Sequence, residues 1–126
     1  MKIATNIAGG ILGFIFVALS LLMLLKLVTP PPPPEGSPAA LFMGAFVPSG
    51  WLTLVKVLEL IGGILVAIPK TRNFGLLVLG PIIVNILAFH ILLAKGEGLF
   101  GPPLLVAVLG AFLLWAERKA FAGLLH

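Results

Sequence analysis

A chain of 126 residues that is 60% hydrophobic and 10% charged, with a mean hydropathy of +1.24, has too few polar side chains to cover a water-facing surface, since soluble domains carry about a quarter charged residues. Its length allows one domain, residues 1–126. The net charge of +4 comes from basic residues set singly or in pairs at the ends of apolar runs rather than in one stripe, which argues against nucleic acid as a partner. The absence of cysteine excludes disulfides and thiol chemistry, and His90 and His126 are too few for this chain alone to build a haem or zinc site.

Apolar runs approaching spanning length recur four times, at about 3–25, 51–68, 74–94 and 103–116, a helix needing roughly 20 such residues to cross about 30 Å of hydrocarbon. The first run follows Lys2 and exceeds the length of a signal-peptide core, so it reads as a retained span. Residues 29–38 carry five consecutive prolines, which favour an extended polyproline II conformation and read as a stiff outer loop. Residues 39–48 are apolar but too short to cross, so a short interfacial helix is expected there, ended by Pro48 and Gly50. The fourth run is the shortest and is expected to lean on Arg118 and Lys119 snorkelling at its end. The fold expected is an all-α integral membrane protein, an antiparallel four-transmembrane-helix bundle.

Lys2, Lys70, Arg72, Arg118 and Lys119 share one side of this arrangement, whereas Lys26 and Lys95 lie on the other with Glu35 and Glu97 nearby. That bias places both termini in the cytoplasm. Helix packing in lipid relies on close backbone approach, so Gly9, Gly13, Gly62, Gly63 and Gly80 are packing candidates, and Pro81 is expected to kink the third span. Packing within the bundle and a contact between copies, a homo-oligomer, both use such residues. Asn6, near the start of the first span, reads as interfacial.

Lys56 and Glu59 are the charges inside a span. Each alone costs roughly 2.5 to 3.5 kcal/mol on insertion scales, but residues three apart are neighbours on one helix face and can enter as a pair. Counting from span midpoints puts Glu59 and Asn85 near the membrane centre, with Lys56 and His90 roughly 5 and 8 Å toward the outer face. A polar site of Lys56, Glu59, Asn85 and His90 between the second and third spans is therefore expected, with Asn85 bridging to Glu59 and His90 near Lys56. No motif for phosphate, dinucleotide, nucleophilic or metal chemistry appears, and no metal is expected.

The runs VLELIGGILVAIP and GLLVLGPIIVNILAFHILL, with Asn85 and Phe89-His90 in place, and the closing W-x-x-R-K at Trp115, Arg118 and Lys119 resemble the DoxX family of small bacterial membrane proteins. The resemblance covers nearly the whole chain. It implies a four-helix bundle in the bacterial inner membrane and association with quinone-linked redox systems, hence quinone as cofactor, and lipid and redox proteins as partners. The five-proline loop departs from the family pattern. Three readings stay open: an accessory or quinone-associated subunit in which Glu59 responds to protons, a structural or assembly protein whose polar cluster only fixes helix packing, and a small proton-coupled carrier. Whether the chain is an enzyme is left open by the residues.

Overall fold

A computed structural model describes residues 2–28, 32–96 and 98–123. Residues 29–31 of the proline loop, Glu97 and His126 lie outside the described residues. All regular structure among the described residues is helical, with no strand.

Helix α1, Lys2–Leu24, is closed by Lys26 in the left-handed conformation (φ 58°), with Leu27 N–H donating to Leu22 O and Lys26 N–H to Met23 O, a Schellman closure made here without glycine. Helix α2, Pro38–Phe46, starts where Ser37 Oγ accepts from Ala40 N–H over 3.2 Å and Pro38 takes the first turn. Residues 47–50 then turn through Gly50, whose φ of 84° suits glycine, and α3, Trp51–Ala67, leaves at 82° to α2. Ile68 is extended because it precedes Pro69, which ends α3. A short 3-10 turn, Pro69–Thr71, leads into α4, Arg72–Ala88, which runs on as a π-helical turn, Phe89–Leu93. Thr71 Oγ1 donates to Leu65 O over 2.8 Å and satisfies one of the carbonyls α3 leaves free. Helix α5, Pro102–Ala116, opens on two prolines, and a short α6, Arg118–Ala122, follows.

The four long helices close a ring in which α1 packs on α3, α3 on α4, α4 on α5 and α5 on α1. Leu12 and Phe16 of α1, Val66 of α3, Leu76, Leu79, Ile82 and Ile83 of α4, and Val106 and Leu113 of α5 fill its centre. Glycine permits the approach. A Cβ at Gly13 would lie 2.5 Å from the Gly63 carbonyl oxygen, and one at Gly75 2.5 Å from the Val66 nitrogen. A Cβ at Gly9 would likewise meet the Arg72 side chain and one at Gly62 the Leu79 side chain, each under 3 Å, while the approach at Gly75 has no counterpart among the glycines singled out from the sequence. Gly80 is different, for a Cβ there meets nothing within 4 Å. It borders an apolar cleft of about 200 Å³ between α4 and α5. The α-helix continues through Pro81, an exposed residue whose missing N–H leaves the Leu77 carbonyl without its helical hydrogen bond.

Two rods are long and apolar enough to cross a membrane, Lys2–Leu24 and Pro69–Leu93, about 34 and 37 Å at 1.5 Å per residue. With 17 and 15 residues, α3 and α5 reach only about 25 and 22 Å. Two of the four expected spans thus meet the length requirement alone, because Pro69 stops α3, Pro102 starts α5 late, and the bend at 47–50 keeps α2 from extending α3. The outward surfaces of all four helices are nevertheless apolar, with Ile7, Ile11 and Phe14 on α1, Ile61 and Ile64 on α3, Leu77 and Val84 on α4, and Leu105 and Val108 on α5 exposed. An outer face of this kind is that of a membrane protein.

Candidate functional site

Lys56 and Glu59 do pair. The Lys56 ammonium lies 3.3 Å from each Glu59 carboxylate oxygen, and the carboxylate side chain is 4% exposed against 17% for the lysine. Their surroundings follow from helix register. Gly63 approaches Phe16 and Val17, so Glu59, one turn earlier on the antiparallel α3, stands level with Ser20 of α1. Ser20 is fully buried, and its hydroxyl has no hydrogen-bond partner among the described residues. On the other side Gly62 meets Leu79, which sets Ile82 level with Glu59 and Asn85 level with Lys56.

Asn85 is not part of this site. It is exposed, on the outward face of α4 with Phe74, Leu77, Pro81 and Val84, and no hydrogen bond joins it to Glu59. Counting from span midpoints located its depth to within a turn but left its direction around the helix undetermined, and at about 100° per residue the inward face belongs to Leu79, Ile82 and Ile83.

His90 also lies elsewhere. It sits in the π-helical turn, its Nδ1 2.8 Å from Ile86 O, and its ring meets the Phe89 ring edge-on with centroids 5.3 Å apart. Phe89 in turn contacts Phe42, which stacks on Phe46, and Phe46 reaches Trp51. His90 therefore belongs to an aromatic cluster that docks α2 over one end of the ring. The site expected between the second and third spans narrows to Lys56, Glu59 and Ser20, between α1 and α3.

A second polar centre occupies the opposite end. Arg72, expected as a loop cation, is the first residue of α4 and only 4% exposed. Its Nε donates to Val66 O over 2.9 Å and its Nη1 to Asn6 Oδ1 over 3.0 Å, so one side chain ties α4 to α3 and α1. Gly9 makes room, since a Cβ there would fall 2.5 Å from Arg72 Nε. Asn6 thus stays exposed near the start of α1, as an interfacial residue would, while its side-chain oxygen also accepts from the buried Arg72. The sequence signal lay in the Asn6-x-x-Gly9 spacing, which puts an acceptor and a gap on one helix face. Among the described residues no cluster of His, Asp or Glu could hold a metal ion.

Comparison with protein-family models, curated proteins and solved structures finds no match for this chain.

Proposed function

We propose that the protein is a DoxX-like inner-membrane protein in which α1, α3, α4 and α5 all cross, and that Lys56 and Ser20, with Glu59 as the counter-charge of Lys56, donate to the carbonyl head of a lipid-soluble quinone on behalf of a membrane redox system. The observation that carries this reading is unspent donor capacity inside an apolar ring. A lysine ammonium has three N–H donors, of which Glu59 engages two at most, and the Ser20 hydroxyl engages none. A quinone carbonyl accepts from such donors, while its isoprenoid tail needs the apolar exterior the helices provide.

Four spans are supported by the apolar outward faces of the two shorter helices, since local thinning and snorkelling of Arg118 and Lys119 offset a deficit of several ångströms. A cytoplasmic location for Lys2, Lys70, Arg72, Arg118 and Lys119 follows the usual bias of basic residues. Organic extraction of detergent-purified protein tests the reading. It predicts quinone at about one per chain from the wild type and loss of it from the K56M/E59L variant. Quinone-free wild-type protein overturns it.

A second reading is favoured by one observation: Lys56 and Glu59 compensate each other's charge at 3.3 Å. A pair so arranged serves as a clasp that fixes the seating of α3 without any ligand. Under that reading K56M/E59L leaves abundance and cellular phenotype intact, and loss of phenotype at normal abundance sinks it.

A further inference from the structure

Asn85 presents a chemical problem once it is placed on the outward face of α4. It lies four residues from the midpoint of the Pro69–Leu93 rod, about 6 Å along the axis, deep within a hydrocarbon layer about 30 Å thick. Its side chain is too short to reach the interface. A carboxamide facing lipid there leaves two N–H donors and an oxygen acceptor without partners. Around it the face is apolar, made by Leu77, Pro81, Val84 and Ala88 at the spacing of one helical stripe.

A carboxamide is its own complement, because it both donates and accepts. A two-fold copy of the same helix face brings a second Asn85 against the first and satisfies both across one isologous contact. A lipid chain offers no hydrogen-bonding group. We infer that the Leu77–Pro81–Val84–Asn85–Ala88 face of α4 is a homodimer interface, with Asn85 of each copy hydrogen-bonded to the other within the membrane. This rests on the membrane reading and is independent of any quinone.

The absence of cysteine makes the test direct, since single cysteines report contacts without background. Membranes carrying L77C, V84C or A88C are oxidised and compared with I61C and V108C, on the outward faces of α3 and α5. The expected result is a disulfide-linked dimer from at least one α4 position and none from the controls. N85L is expected to lower the association constant in detergent roughly 3- to 30-fold, as loss of an interhelical hydrogen bond does. Membrane-embedded protein with no crosslinking at any α4 position, equal crosslinking at I61C, crosslinking to another protein in place of a second copy, or an unchanged association constant for N85L overturns the interface. Recovery of the wild type in the soluble fraction overturns the membrane reading and, with it, this one.

Discussion

The Arg72 guanidinium donates to Asn6 Oδ1 over 3.0 Å while its Nε binds the Val66 carbonyl, so the first residue of α4 holds the start of α1 and the end of α3 together. A planar fork with separate donors makes that double attachment, which a lysine ammonium of different reach and shape cannot reproduce. R72K is therefore expected to lower stability by about 1 to 3 kcal/mol, and N6A by a similar amount because it strands a buried N–H. Thermal unfolding in detergent reads both. Tm values within a degree of wild type for the two variants contradict the clasp.

The glycines divide into two kinds. G13A drives a methyl into the Gly63 carbonyl oxygen and G75A into the α3 backbone, neither of which can rotate away. Each is expected to cost about 1 to 3 kcal/mol. G80A meets open space and gains helix propensity worth about 0.5 to 1 kcal/mol. Unfolding temperatures should fall for the first two and hold or rise for the third.

Breaking the Lys56–Glu59 pair differs from removing it. Either E59L or K56M alone leaves a charge without its partner inside the ring and is expected to cost about 3 to 5 kcal/mol, whereas K56M/E59L is expected to be near neutral or stabilising in the ligand-free protein. A double variant as unstable as the worse single variant contradicts mutual compensation.

Ser20 separates ligand binding from packing. In ligand-free protein S20A removes a buried hydroxyl that has no partner among the described residues, so it should gain about 1 kcal/mol. If the hydroxyl binds a head group, the same variant should lose part of the stabilisation that added quinone confers. Lower stability of ligand-free S20A would show that Ser20 already has a structural partner.

Much of the architecture was legible because apolar run length and proline position control where helices start and stop. The helix at 38–46, the break before Trp51 and the Lys56–Glu59 pair all depend on short-range rules that need no partner helix. Which way a residue faces was not legible in α4. That helix is apolar nearly all round, so nothing in its pattern distinguishes the direction of Asn85 from that of Ile82, and only the Gly62–Leu79 approach settles it. Arg72 was misplaced for a related reason. A basic residue next to a turn reads as a solvated loop charge until Gly9 and Asn6 of a distant helix are seen to receive it. Ser20 drew no notice because one hydroxyl in an apolar run carries no pattern until α3 brings Glu59 level with it.

The most direct measurement of the central claim is a thermal-stability titration of the delipidated protein with a short-chain quinone, run in parallel on wild type, S20A and K56M/E59L. The account predicts a saturable rise in Tm for the wild type, a weaker rise for S20A and none for K56M/E59L. A flat wild-type titration, or equal rises in all three proteins, would contradict it.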